Sequence, residues 1–560
     1  MRTNARHRSR LAAWRVACAA LAALAALVVR VDAGAAPAAE VADAAMRGDR
    51  DEVLALLEHG ADVNAAQGDG MTALHWAAVN EDFDLAKSLI YAGANVHATT
   101  RLNAITPLWL AAQSGDSLMV RLLLDNKAEP DAATTTGVTP LVIASASGNA
   151  LAVSVLIERG ADANAREKTY GQTPLIFAAA FNRTDALAVL LDHDADIAAA
   201  TKVRLPPPRR GVPLASGPES PPPPGGAGAR AGAPRAQPPT GVSLGVVNIG
   251  EPIVEAGEPM GGLTALHYAV RQGNIEAVDA LLDKGADVNG VSADNTTPLM
   301  LATINGRFDL AMHLLERGAD PTIATVAGGT PLYRVIDVQW APKSFYPQPP
   351  AARQQQTSYL DLMKALLERG AEPNARLRKA LWYTRYGFTL EGVDPAGATP
   401  FWRASEVGDV DAMRLLVAHG ADPSIKTYEG VSPLMVLAGA GYHGNDAITI
   451  PAGRMPAMRY LVEELGADVN ETDEIAGANT RTEHIYTRGY TPIHNAAARG
   501  DNEMILYLVS KGARVDLVGK NGVTSVDMAN SPRERIEPFP ETIKLLESLG
   551  AKNSHHCVAC

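Results

Sequence analysis

Residues 264–289 read TALHYAVRQGNIEAVDALLDKGADVN, and the reading of this stretch decides the fold. Thr264 is placed to cap a short helix, because its hydroxyl can accept a hydrogen bond from a first-turn N–H. Leu266, Ala269 and Val270 then share one helical face. Gly273 ends that helix. A second amphipathic helix carries Ile275, Val278, Leu281 and Leu282, and Gly285 stops it where a left-handed backbone is cheap only without a side chain. Residues 287–295 read as an extended, turn-rich link. Neither helix buries its stripe alone, so the unit must lie against copies of itself.

Those copies are present. The opening phrase recurs at Thr72, Thr106, Thr139, Thr173, Thr264, Thr297, Thr330, Thr399, Ser432, Thr491 and Thr524, with uninterrupted intervals of 33 or 34 residues. A second phrase, Gly-Ala-Asp-Val-Asn or a relative, starts at Gly60, Gly93, Gly160, Gly285, Gly318, Gly370, Gly420, Gly466 and Gly512. Two phrases in fixed phase resemble the ankyrin repeat, in which Thr-Pro-Leu-His opens an inner helix and Gly-Ala-Asp opens a hairpin finger. The resemblance implies an all-α repeat solenoid with β-hairpin fingers, an ankyrin-repeat array of about twelve units. The first unit (Val41 to Gly70) lacks the opening phrase and the last (Val523 to Lys552) departs from it, as terminal repeats facing water do. It further implies that His75, His267 and His494 are structural, bonding neighbouring loops. Trp76, Leu110, Phe177, Tyr268 and Arg403, one position further on, would face a concave groove that touches a protein partner.

Composition agrees. The chain has 560 residues, with 47% apolar residues but only 5% aromatics, which suits many thin helical layers better than one deep core. Its formal charge is −12, and the first 35 residues hold six Arg and one Asp, so the remainder is more acidic still. Nucleic acid and anionic lipid are poor bulk partners for such a chain. Three cysteines give no disulfide framework.

The N-terminus places Arg2, Arg6, Arg8, Arg10 and Arg15 before an uncharged apolar run from Val16 to Val29, then the small residues Ala33, Gly34 and Ala35. That order is a secretory signal peptide over residues 1–35, with cleavage after Ala35 or Ala36. The run is too short to cross a bilayer comfortably. A secreted or periplasmic, monomeric protein without a stable membrane anchor is the expectation.

The period breaks in several places. One block of repeats spans 36–201 and a second 263–553, and between them residues 202–262 are rich in Pro, Gly and Arg. That segment is either an insertion in one finger or an interdomain linker. The unit opening at Thr330 carries inserts at about 339–357 and 376–395; the unit opening at Ser432 carries them at about 439–454 and 471–488. Equivalent inserts two units apart emerge on the same faces, roughly 20 Å apart. Large aromatics concentrate here: Trp340, Phe345, Tyr346, Trp382, Tyr383, Tyr386 and Phe388. They either anchor a partner or pack the inserts onto the solenoid's flank.

Signals for chemistry are sparse. Gly439 to Gly444 match Gly-x-Gly-x-x-Gly, but the string follows a repeat helix instead of a strand, so no dinucleotide site is expected. No catalytic or metal motif is recognised, and no enzyme activity is expected. The tail, residues 554–560, holds His555, His556, Cys557 and Cys560. Cys-x-x-Cys lacks the following His of a c-type haem attachment. Three readings stay open: a haem site begun at Cys557 and Cys560, an inert or disulfide tail, and a soft-metal site. Hence the two functional expectations are a protein-binding scaffold without cofactor and an electron-transfer protein whose solenoid carries haem c.

Overall fold

The computed structural model describes residues 39–205, 259–340, 354–379, 381, 393–440, 453–473, 489–519, 522–530 and 538–554. The chain divides into two compact units, Met1–Thr169 with Asp192–Asp194, and Tyr170–Leu191 with Ala195–Cys560. In the first, four helix pairs follow one another: Glu40–Arg47 with Arg50–Glu58, Ala73–Val79 with Phe83–Tyr91, Pro107–Ser114 with Ser117–Asp125, and Pro140–Ser147 with Ala150–Glu158. Inner helices pack on inner helices and outer on outer. The inner helices are short and rich in alanine, with Ala77, Ala78, Ala111, Ala112 and Ala144 fully buried, so adjacent helices approach closely.

The second unit repeats the scheme from Pro174–Ala180 and Thr184–Asp192 through Pro540–Ser548. Each opening Thr or Ser is an N-cap. Thr297, Thr330, Thr399 and Ser432 accept from the N–H of Met300, Tyr333, Trp402 and Met435, and Pro fills the first helical turn, where its missing N–H costs nothing. The joint between paired helices is equally local. Gly273 and Gly408 end inner helices in left-handed conformation, and Asn274 and Asp409 at once cap the outer ones.

The fingers are leaner than the expected β-hairpins. Among the described residues extended pairing is limited to the isolated bridges Ala200–Thr264, Arg204–Met260 and Val518–Thr524. Only a few residues separate the loop from the next helix, so a typical finger closes with a turn and gives one backbone bond to its neighbour. Val326 N–H, for example, donates to Asp294 O at 2.9 Å and Arg378 N–H to Ala327 O at 2.8 Å. The loop Asn adds a second tie. Asn374 Nδ2 donates to Gly420 O at 3.0 Å while its Oδ1 accepts from Asp422 N–H at 2.8 Å, and Asn289 does the same to Gly318 and Asp320.

The described residues on either side of 206–258 pair with each other at one such finger. Arg204 and Met260 exchange two backbone bonds of 2.8 Å, and the helices Pro174–Ala180 and Ala265–Gln272 on either side pack directly. Gln172 Nε2 reaches the Tyr268 hydroxyl across that contact at 3.0 Å.

Candidate functional site

The third helical residue of each unit sets how one unit grips the next. In three units it is histidine. His75 Nδ1 accepts from Thr72 N–H at 3.2 Å, which fixes the proton on Nε2, and Nε2 donates to Ile105 O at 3.0 Å. His267 repeats this with Thr264 at 3.3 Å and Thr296 O at 3.1 Å. His494 accepts from Thr491 N–H at 3.2 Å and meets the backbone of Val523, the position equivalent to Ile105 and Thr296. Burial pushes all three imidazoles down to about 4, so they are neutral at physiological pH.

Other units fill this slot with apolar side chains, Trp109, Val142, Ile176 and Met300 in regular units and Tyr333, Trp402 and Met435 in the consecutive units around the inserts. Trp402 is fully buried, and its indole N–H donates to Val431 O at 3.0 Å, the carbonyl equivalent to Ile105 O and Thr296 O. The larger side chains form an apolar floor with Leu377, Leu381 and Val393, the residues from which the finger insert departs and to which it returns. Beside the floor stand Arg334 and Asp337 on helix Pro331–Gln339, and Arg403 and Glu406 on helix Pro400–Val407. Asp337 bridges both arginines, and Arg403 Nη1 also reaches Glu406 at 3.1 Å. Arg334 and Asp337 are almost wholly buried, and Glu406 reaches solvent with a quarter of its side chain. Burial works against the Arg403 charge, but Glu406 and Asp337 outweigh it and raise its pKa.

The helix-to-helix insert of the Thr330 unit is tied on both sides. Trp340 Nε1 donates to Asp409 Oδ2 at 2.7 Å, and its ring meets Tyr359 edge-on at 6.0 Å. Burial and Asp409 push the Tyr359 hydroxyl upward. On return, Gln356 and Thr357 donate backbone N–H groups to Asp309 at 3.1 and 2.7 Å. Burial alone would raise Asp309, yet the Thr357 hydroxyl together with those backbone bonds holds it below the usual carboxylate range.

Of the expected groove residues, only Trp76 is partly exposed, and its Nε1 is bonded to Gln67 at 2.8 Å. Leu110, Phe177, Tyr268 and Arg403 are buried, which corrects their expected exposure. The position one past the slot meets residues earlier in the stack, Tyr268 bonding Gln172 and Arg403 bonding Asp337. Arg334 occupies the same position and went unnoticed in the sequence. Trp382, Tyr383, Tyr386, Phe345, Tyr346, Phe388, Cys557 and Cys560 lie outside the described residues, as do residues 1–35, where a signal peptide is expected. One further feature follows from a single extra residue between Met458 and Gly466, relative to Met413 and Gly420. The outer helix Met455–Arg459 runs on into a π turn, Tyr460–Glu464, and the loop glycine stays in phase.

Family models described as ankyrin repeats match residues 108–201 and 245–325, 41–90 and 446–509, and 396–428. The chain belongs to the ankyrin-repeat family. Similar chains include ankyrin repeat protein nuc-2 of Neurospora crassa, 31% identical over 36% of this chain and 19% of that protein. Protein phosphatase 1 regulatory subunit 27 of Mus musculus is 41% identical over 12% of this chain and 46% of its own length. Alpha-latrocrustotoxin-Lt1a of Latrodectus tredecimguttatus is 27% identical over 49% and 16%. The chain thus spans less than half the length of each. Ankyrin arrays are protein-interaction modules, and this array is built as one. Among the described residues no helix is long and apolar enough to cross a membrane, and no group of three or more metal-ligating side chains gathers.

Proposed function

We propose that the chain is an exported scaffold that binds one protein along the inner-helix and finger side of the units opening at Thr330, Thr399 and Ser432. The inserts at 339–357, 376–395, 439–454 and 471–488 serve as contact loops in this reading. One observation carries it: the insert bases are fixed to neighbouring repeats, by Trp340 on Asp409 and by Gln356 and Thr357 on Asp309. An insert that the fold merely tolerates needs no such anchorage. Binding surfaces held on rigid supports lose less entropy on association. Export rests on the basic, apolar and small-residue order of the first 35 residues.

The test is photo-crosslinking in intact cells from a reactive residue at Gln339, with fractionation of the product. A single protein captured outside the cytoplasm from Gln339, and not from Glu276 on an exposed outer helix, supports the reading. Equal capture from both positions, or an intracellular product, overturns it.

A further inference from the structure

One helix position breaks the pattern of the array within the first compact unit. The second residue of an outer helix is acidic in most repeats, as Asp51, Asp84, Asp185, Glu276, Asp411 and Glu503 are. A carboxylate there stabilises the helix, because the first turn carries unpaired N–H groups and the positive end of the dipole. The helices Ser117–Asp125 and Ala150–Glu158 carry Leu118 and Leu151 instead, and neither has an acidic residue in its first turn. Packing does not explain the exchange. Leu118 is 63% and Leu151 68% exposed, so each helix gives up a favourable charge and holds an apolar side chain in water, with no burial to offset either cost.

The two leucines stand on neighbouring helices that pack on each other. A Cβ on Gly115, just ahead of the first helix, would lie 2.9 Å from the Cβ of Asn149, the N-cap of the second, so the two N-termini are adjacent. Arg121 is exposed one turn after Leu118 on the same face, and Lys87 holds the equivalent place on the helix Phe83–Tyr91, which packs on the other side. Among the described residues neither Lys87 nor Arg121 forms an ion pair. The carboxylates on these three helices are engaged: Asp84 with Arg50 at 3.4 Å, Asp125 with Arg159, and Glu158 with the Ser154 hydroxyl at 2.9 Å. Adjacent apolar side chains thus lie beside two positive charges that the fold leaves uncompensated. Such a patch fits a ligand with apolar anchors and the opposite charge around them. We propose that Leu118, Leu151, Arg121 and Lys87 form a docking surface for an amphipathic helix of a protein partner, with aliphatic side chains on its contact face and carboxylates beside them. The surface belongs to the outer helices of the first unit and is independent of the contact-loop reading.

The probe is a fluorescein-labelled synthetic peptide of leucine and glutamate, with its leucines at helical spacing, titrated with the full chain and followed by anisotropy. Saturable binding is expected, weakened about tenfold or more by Leu118→Asp combined with Leu151→Asp, and also by Arg121→Glu. The paired Asp substitutions restore the acidic residue that other repeats carry, so the thermal midpoint should hold or rise. A lower midpoint would mean that the leucines serve packing, and overturns the proposal. Leu506→Asp, at an exposed leucine of the outer helix Asn502–Ser510, should leave binding within about twofold. An equal loss from that variant, no saturable binding, or tighter binding of a leucine–lysine peptide also overturns it. So does a dimer of the full chain that dissociates on the paired Asp substitutions, since the surface would then be a contact between copies. The assay needs neither a captured partner nor the inserts, so its failure is separable from failure of crosslinking at Gln339.

Discussion

The units built on His75, His267 and His494 and the stretch built on Tyr333, Trp402 and Met435 share one backbone but join their neighbours by different chemistry. In the first group a small neutral ring caps its own helix and grips the next finger. In the second, an indole or a bulky side chain takes the slot, a buried ionic cluster lies alongside, and insert bases land on top. The repeat geometry is indifferent to this exchange. What changes is the amount of apolar floor and buried charge available where the period breaks, which is where the proposed contact loops depart.

The largest expected effect lies in the second group. Asp337→Ala leaves Arg334 and Arg403 buried without their shared carboxylate, at a cost of about 3–5 kcal/mol. Native-state hydrogen exchange should locate the loss in the helices Pro331–Gln339 and Pro400–Val407. Replacing Arg334, Asp337 and Arg403 together by Met, Leu and Met should be nearly neutral, because the desolvation cost goes with the charges. If Asp337→Ala proves harmless, the cluster is solvated in solution and the two regions are less different than their side chains suggest.

Acid should separate the regions in the other direction. An unfolded chain protonates histidine near pH 6.5, whereas the buried rings resist until about 4. The unfolded state therefore binds more protons in that window. The contribution of each ring is complete above about pH 6.5 and is lost as pH falls towards 4, by at most roughly 3 kcal/mol each. Between pH 7 and 5, protection factors, corrected for the slower intrinsic exchange at low pH, should fall in the helices Ala73–Val79, Ala265–Gln272 and Pro492–Ala498, while Pro400–Val407, held by the Trp402 indole, keeps its protection. A uniform fall would contradict the distinction.

The fold was legible because its signals are local and repeated. Thr264 and Gly273 report a helix and its end within ten residues, and eleven openings in phase leave one architecture. The site was less so. Arg334 with Asp337 is readable as an i,i+3 pair, but its link to Arg403 crosses 66 residues of sequence and exists only once the units are stacked. Trp402 in a histidine slot was visible in the opening phrase, yet its donation to Val431 needed the neighbouring finger in place. Exposure was the weakest inference. Tyr268 and Phe177 look like groove residues by position and are buried, Tyr268 against Gln172 and Phe177 against Phe181.

Smallest on stability, and most direct for the scaffold reading, is the response to Trp382→Ala with Tyr386→Ala. The regular helices on either side already supply the packing, whereas rigid aromatics carry binding energy at hot-spot scale. Measured together, the thermal midpoint should stay within a few degrees while affinity for the partner captured from Gln339 falls by about 2 kcal/mol or more. A double variant that melts well below the parent and still retains the partner would place these aromatics in the solenoid's own packing and contradict the account.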